Sequence, residues 1–445
     1  MAYTQNSKLI TISVLFLTSI FVVSVILNAS IPAFSSSNKK NVTLTVILNE
    51  FSQKEWGKSL IQGALDDLRL SHPDFNIQMK YLEFPYHIIR QQLLNVMANR
   101  TPIDIVSVDQ IWLGDFAEKG YLTDLTNYTK KWGRSNEWYQ QSWDGGTYNN
   151  TMYGIWAWTD VRGIWYWKDL LDQASINPNS LKTWNGYLES AKKLNSVLRP
   201  KGIEGIHLTA ASHSPDLWYP YLWMLHGEIA ELRDGHPTKG TYWFPTYNST
   251  QGVEALQFIE DQVAAGIKPQ PDYHGGQEFA DRKFAVMIDG SWILTNIPAE
   301  EHSRLGFIPM FPVPDNNTKT STLMGGWEFA IPKASVNKAL AWELIEIMMK
   351  PKILSPWIAK SGYLPTQITI GEGTGPYAEQ LRRSIPYYDK MVSMIPIGKG
   401  RPSFAEYPAI AEDIRQAIDD VYNRTKNPKQ ALDDAAAKSA KALGW

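Results

Sequence analysis

Between Asn41 and Val108, three short apolar runs of strand type alternate with two stretches of helical periodicity, and no other feature restricts the possible folds as much. The strands are read at Asn41–Leu48 (NVTLTVIL), Phe75–Phe84 and Ile103–Val108. The helices are read at Trp56–Leu70, which stops before His72-Pro73, and at Ile88–Ala98. A βαβαβ series closes by right-handed crossovers into an open parallel sheet. An α/β fold is therefore expected, with ligands bound in the crevice beyond the carboxyl ends of the strands. Glu50 and Asp109-Gln110 fall at two of those ends. A carboxylate there either accepts hydrogen bonds from ligand hydroxyls or closes a turn or caps a helix. Asp109, followed by Ile-Trp-Leu, suits both roles.

The stretch Lys283–Lys333 holds three more buried-strand runs, each ending at a Gly or Pro breaker. Gly290 precedes Ser291-Trp292, and Gly325-Gly326 precedes Trp327. Glycine removes Cβ bulk beside the backbone, and an indole next to such a gap suits a sugar ring, with its apolar C–H faces and rim of hydroxyls. Core packing is the competing reading. The chain carries 18 Trp and 21 Tyr, an enrichment typical of surfaces that recognise ligands through amphipathic rings, or of a large aromatic core.

A second aromatic run, Tyr153–Leu171 (YGIWAWTDVRGIWYWKDLL), is too apolar for a surface strand. Residues two apart in a strand share a face, so Trp158, Asp160 and Arg162 project together: a stacking ring, an acceptor and a five-donor fork. An internal Asp160–Arg162 ion pair is the alternative. In Asp216–Leu225 (DLWYPYLWML), the rings of Trp218, Tyr219, Tyr221 and Trp223 cannot all face one way, so some pack the core and one or two face a cleft.

With 43 Lys+Arg against 45 Asp+Glu there is no basic field for nucleic acid. The absence of Cys removes disulfides, thiolate metal sites, a Cys nucleophile and a lipid-modified Cys anchor. The eight His show no metal-ligand spacing, and there is neither a nucleophile elbow nor a phosphate-binding loop, so neither metal nor cofactor is expected. Lys8 precedes an uncharged apolar run, Leu9–Leu27, of roughly bilayer-spanning length. It is expected to be an uncleaved anchor or a cleaved signal, followed by the polar tether Phe34–Lys40. Acceptor sequons at Asn41, Asn99, Asn127, Asn149, Asn248, Asn316 and Asn423 favour an extracytoplasmic, glycosylatable surface.

Taken together, LTVILNEF, PIDIVSVDQIWLGDFAEKGYLTDLT, MYGIWAWTDVRGIWYWKDLL, GVEALQFIEDQVAAGIK with FADRKFAVMIDGSWILTNI, and GGWEFAIPKASVNKALAWELIEIMMKP resemble the solute-binding proteins of ABC importers. The resemblance is to the large sugar-binding family that includes maltose-binding protein. It covers essentially everything after residue 40 and implies a type II, two-lobed α/β fold with a ligand cleft between the lobes. The implied crossings lie near Trp156–Val161, Pro309–Phe311 and Met349–Ile353. They divide the chain into a first lobe of 41–156 with 311–350 and a second of 161–306 with 353–445, after the leader and tether of 1–40. By similarity Trp292 matches the family's stacking aromatic, Asp160 a carboxylate that meets sugar hydroxyls, and Asp109 the polar loop after the third strand. Trp218 and Tyr407 fall near further aromatic contacts. Trp156-Ala157-Trp158 stands where many members carry Pro near the hinge. The implied partners are a saccharide and membrane permease subunits, and the implied state is a monomer that closes on its ligand without catalysis. A secreted carbohydrate hydrolase and a receptor for a non-sugar organic solute are the rival readings, since two glycosidase carboxylates need only meet in space.

Overall fold

The computed structural model describes residues 39–210, 213–316 and 319–445. The apolar run Leu9–Leu27 and the tether up to Asn38 lie outside the described residues. Among those described, no helix is long and apolar enough to cross a membrane.

The expected series is present as β1 (Lys40–Ile47), α1 (Glu55–Ser71), β2 (Phe75–Tyr81), α2 (Tyr86–Ala98) and β3 (Ile105–Asp109). The strands are parallel, with Val42 opposite Ile77 and Val46 opposite Ile105. In α1 the residues Ile61, Ala64, Leu65 and Leu68 are buried, the three-and-four spacing that lays one face on a sheet. Arg69 reaches back to the carbonyl of Ile77 with Nε at 2.8 Å and Nη2 at 2.6 Å, tying the helix end to β2. The helix stops there because Pro73 disfavours helical geometry at His72.

The remaining strands of this sheet are β4 (Gly154–Trp167), β5 (Glu204–Ile206), β6 (Phe284–Gly290), β7 (Leu305–Ile308), β8 (Thr322–Ala330), β9 (Leu364–Pro365) and β10 (Gly398–Lys399). Their order is β2-β1-β3-β8-β4-β6-β5, with β7 and β9 also pairing β4, and β10 pairing β8. Strand β4 enters both halves. Its residues Gly154–Val161 run antiparallel to β8, whereas Arg162–Tyr166 run antiparallel to β6 and Ile164–Trp167 to β7. All of β4 except Tyr166 is buried, which accounts for its near-continuous apolar sequence: a strand covered on both faces has no polar side to alternate with.

The last expected crossing, Met349–Ile353, falls at the junction of two helices. Helices α4 (Lys338–Met348) and α5 (Pro351–Ser361) follow β8, and α5 packs against α1 and the segment after β1. Trp357 stacks on Phe51 at 4.8 Å and 2°, its Nε1 donates to the Phe51 carbonyl at 3.3 Å, and Lys352 pairs with Asp67 of α1. Pro351 opens α5, since proline at a first turn sacrifices no hydrogen bond. Its buried face is formed by Ile353, Leu354, Trp357 and Ile358.

Candidate ligand-binding site

The ends of β1 and β3 and the middles of β4 and β8 open onto a cavity of about 370 Å³. Its size falls within the range of small-molecule sites. Seven of the sequence-predicted residues meet there: Glu50, Asp109, Asp160, Arg162, Trp292, Gly326 and Trp327. His213, Asp216, Tyr273, His274, Gly275, Tyr363 and Arg401 complete the lining.

Three predicted residues lie elsewhere. Trp158 does share a face with Asp160 and Arg162, but Phe51, Trp357 and Phe329 cover its end of the strand, at ring distances of 5.7, 4.5 and 5.6 Å. It is fully buried behind Tyr363, whose ring lies 6.2 Å away. Trp218 is fully buried in α3 (Ser214–Met224), and Tyr407 is buried with its hydroxyl donating to the Tyr219 hydroxyl at 3.0 Å. Helix α3 gives the cavity Asp216 from its first turn instead of an aromatic ring.

The polar wall is a chain of alternating charges. Arg162 Nη2 donates to Asp216 Oδ2 at 3.0 Å, and Arg401 Nη1 approaches the same carboxylate at 3.3 Å. Arg401 Nη2 continues to Asp109 Oδ1 at 3.4 Å, while Arg162 Nε stands 3.8 Å from Asp160 Oδ1. The anticipated Asp160–Arg162 pair is thus the longest link, and Asp216 is the stronger partner. Asp109 combines both roles left open by its sequence: it accepts from the Ile111 amide at 3.4 Å, as a cap does, and it lines the cavity. Gln110 Nε2 donates to the Arg401 carbonyl at 2.7 Å, fixing the loop that carries this arginine against the end of β3.

The aromatic wall is equally interlocked. Trp292 Nε1 donates to the Tyr273 hydroxyl at 2.8 Å, and that hydroxyl donates to Asp289 Oδ2 at 2.9 Å. Tyr363 donates to Glu50 Oε2 at 2.6 Å and stacks on Trp357 at 5.7 Å and 5°. Arg162 lies 5.5 Å over the Trp292 ring, and Trp112 meets Trp327 edge-on at 5.6 Å and 88°. The glycines make room for neighbouring side chains, and Gly326 also lines the cavity. A Cβ on Gly290 would fall 1.9 Å from the Trp292 ring, one on Gly325 would fall 2.7 Å from Asp160 Oδ2, and one on Gly326 would fall 1.9 Å from Trp156 Nε1.

Burial dominates the titration of these groups. It pushes Asp160 up to about 6 against the pull of Arg162 and Arg401, and Asp289 up to about 7. Glu50 is also raised by burial, with the Tyr363 hydrogen bond opposing. Burial alone would raise Asp216 as well, but Arg401, Arg162 and His213 outweigh it and hold that carboxylate below its usual range. His213 is pushed down to about 4 by burial and is neutral at pH 7.

Two of the residues that sequence reading passed over carried a visible sign. Tyr363 follows Gly362, and Tyr273-His274 precedes Gly275-Gly276, the same pairing of glycine with an aromatic that singled out Trp292 and Trp327. Arg401 and Asp216 had no such local mark.

Rings and hydrogen-bonding groups that converge from both halves of an α/β sheet joined by a shared strand define a two-lobed solute-binding protein. Residues 72–371 match the bacterial extracellular solute-binding protein family, and the chain belongs to that family. A Brucella abortus relative, named only as a binding protein, is 23% identical over 380 residues, covering 82% of this chain and 85% of its own length. Among solved structures, the ABC transporter solute-binding protein of Thermotoga lettingae bound with α-D-tagatose superposes with a TM-score of 0.74 at 22% identity, covering 91% of this chain and 100% of that one. A maltose-bound protein of T. maritima gives 0.75 at 20% identity, covering 90% and 100%.

Proposed function

We propose that this chain captures a sugar or oligosaccharide outside the cytoplasmic membrane and delivers it to an ABC-type importer, with no bond made or broken. The observation that carries this reading is the meeting of Trp292, Trp327, Tyr273 and Tyr363 with Asp109, Asp160 and Arg162 around one cavity. Rings stack on the apolar faces of a pyranose, and buried acceptors and donors take its hydroxyls. A second chamber of about 650 Å³ shares Glu50, His274, Gly275, Trp292 and Tyr363 with the first, so more than one sugar ring has room. The structural neighbours that hold tagatose and maltose support the same ligand class.

The lobes in this proposal are the half built on β1–β3 and β8, with α4 and α5, and the half built on the far end of β4 with β5–β7. Ligand bound to one lobe would make contacts with the other only when the cleft is shut, shifting an open–closed equilibrium by its differential affinity. Permease subunits then recognise the closed monomer. The apolar run Leu9–Leu27 would hold the protein at the membrane or direct its secretion. A titration of purified protein with mono- and oligosaccharides, followed by Trp fluorescence, tests the proposal. Saturable quenching without new reducing ends is expected, whereas release of reducing ends would identify a hydrolase, and silence across the whole panel would point to a non-sugar solute.

A further inference from the structure

The charges around the cavity do not cancel. Glu50, Asp109, Asp160 and Asp216 face Arg162 and Arg401, a formal surplus of two negative charges, and half-buried His213 is neutral at pH 7. Both guanidinium groups are already held by carboxylates, although Nε of Arg162 makes no hydrogen bond among the described residues. Arg162 is held by Asp216 at 3.0 Å, and Arg401 by Asp216 at 3.3 Å and Asp109 at 3.4 Å. An anionic substituent on a ligand would compete with these carboxylates for the guanidinium groups and would meet the surplus carboxylates as well.

The surplus sits on the strand-end wall. Asp160 is only 6% exposed, yet its Oδ1 has no hydrogen-bond donor among the described residues. Glu50 has its neutral Tyr363 donor at 2.6 Å and feels Asp109 as a like charge. These carboxylates come from three different segments, and among the described residues no group of His, Asp and Glu converges closely enough to hold a metal ion. What fits is a larger organic cation, and the adjoining ring faces of Trp292 and Tyr363 attract an ammonium as well as a sugar ring.

We infer that the ligand of this site carries a protonated amine: an amino sugar, alone or within an oligosaccharide, whose ammonium is received by Glu50 and Asp160 while its ring stacks on Trp292. This rests on the saccharide reading given above. Neutral sugars then bind more weakly, and uronates and sugar phosphates are rejected.

The test is calorimetric titration of the folded protein with matched monosaccharides and β-1,4 disaccharides in gluco, galacto and manno configuration, each bearing hydroxyl, free amine, N-acetyl or carboxylate. The amine is expected to bind at least tenfold more tightly than its hydroxyl and N-acetyl counterparts. In Glu50→Gln the amine-to-hydroxyl ratio should collapse to below threefold. This ratio is read within one protein, so a change in its stability does not mimic the effect. Equal or tighter binding of the neutral sugars would overturn the inference and leave the saccharide reading standing, and so would a preference for the acids. An amine preference that survives Glu50→Gln intact would overturn the assignment of Glu50. No binding by any member would overturn the saccharide reading and the inference with it.

Discussion

Arg162 Nη2 donates to Asp216 Oδ2 at 3.0 Å, with both side chains nearly inaccessible to solvent. Arg401 draws on the same carboxylate at 3.3 Å, so one aspartate at the start of α3 orients both guanidinium groups of the cavity. Removing one member of a buried ionic network leaves its partners uncompensated, typically at a cost of about 3–5 kcal/mol. Asp216→Asn is therefore expected to lower unfolding stability by about 3 kcal/mol in urea titration, and to weaken ligand binding because Arg162 and Arg401 lose their orientation. A loss below about 1 kcal/mol would mean that the two arginines do not depend on this carboxylate.

Two indoles from neighbouring sequence patterns separate binding from packing. Trp292 is partly exposed at the cavity, whereas Trp158 is fully enclosed by Phe51, Phe329 and Trp357. Trp292→Ala should weaken binding at least tenfold with little change in melting temperature. Trp158→Ala, by leaving a cavity in the core, should cost about 3–5 kcal/mol of stability. Thermal melts and titrations on both variants check this. The converse pattern, with Trp292 structural and Trp158 dispensable for folding, would reverse their assigned roles.

The parts of the site that were legible in the sequence are those set by local rules. A two-residue strand period placed Asp160 and Arg162 on one face, and the Gly-x-Trp and Gly-Trp patterns found Trp292 and Trp327. Strand period fixes which way Trp158 points but not what lies over it, and the cover comes from Trp357, on a helix some 200 residues further along. Arg401 meets Asp109 across 292 positions of chain, so no sequence window contains both. The fold itself was more readable. The βαβαβ series from Lys40 to Asp109 appears with boundaries moved by at most three residues, and the proline that closes the helix Lys338–Met348 also opens the next one, since a helix-breaking residue and a helix-opening one look alike in sequence.

Gly326 adopts φ +150, and a Cβ there would fall 1.9 Å from Trp156 Nε1 and 2.3 Å from the Trp158 carbonyl. The second of these contacts is backbone on the paired strand β4, which cannot rotate away as a side chain could. Gly326→Ala should therefore part β8 from β4 locally and destabilise the protein by at least about 2 kcal/mol, from combined overpacking and backbone strain. Chemical denaturation measures the loss directly. Gly275→Ala is a useful comparison: it also has positive φ, at +61, but with open space around its Cβ position. It should cost about 1 kcal/mol from backbone strain alone. Equal losses at the two positions would show that close approach to β4 is not what makes Gly326 necessary.

Asp289 gives the clearest pH signature. Burial pushes its carboxyl from 3.8 up to about 7, so the folded state holds a proton that the unfolded chain has released. The resulting stabilisation is fully present below pH 3.8 and is lost as the pH rises through 7. Asp160, raised to about 6, acts in the same direction over a lower range. His207 and His213 oppose both: each is kept neutral by burial with a pKa near 4, against 6.5 when exposed, so their contributions grow as the pH rises to 6.5 and then level off. Between pH 6.5 and 8 the histidines of the unfolded chain are still releasing protons and give a slope opposite to that of Asp289, so the Asp289 contribution is read as the difference between the wild type and a variant that cannot ionise at this position. Between pH 6.5 and 8 the unliganded protein should lose about 1 kcal/mol of unfolding free energy through this residue. Asp289→Asn, which cannot ionise, should gain about 1 kcal/mol relative to the wild type between pH 6.5 and 8 in urea titrations at pH 6.5, 7, 7.5 and 8. If the two profiles run parallel, Asp289 is already ionised in the folded state, and Tyr273 with the Gly290 amide, at 2.9 Å each, stabilises the carboxylate more than burial penalises it.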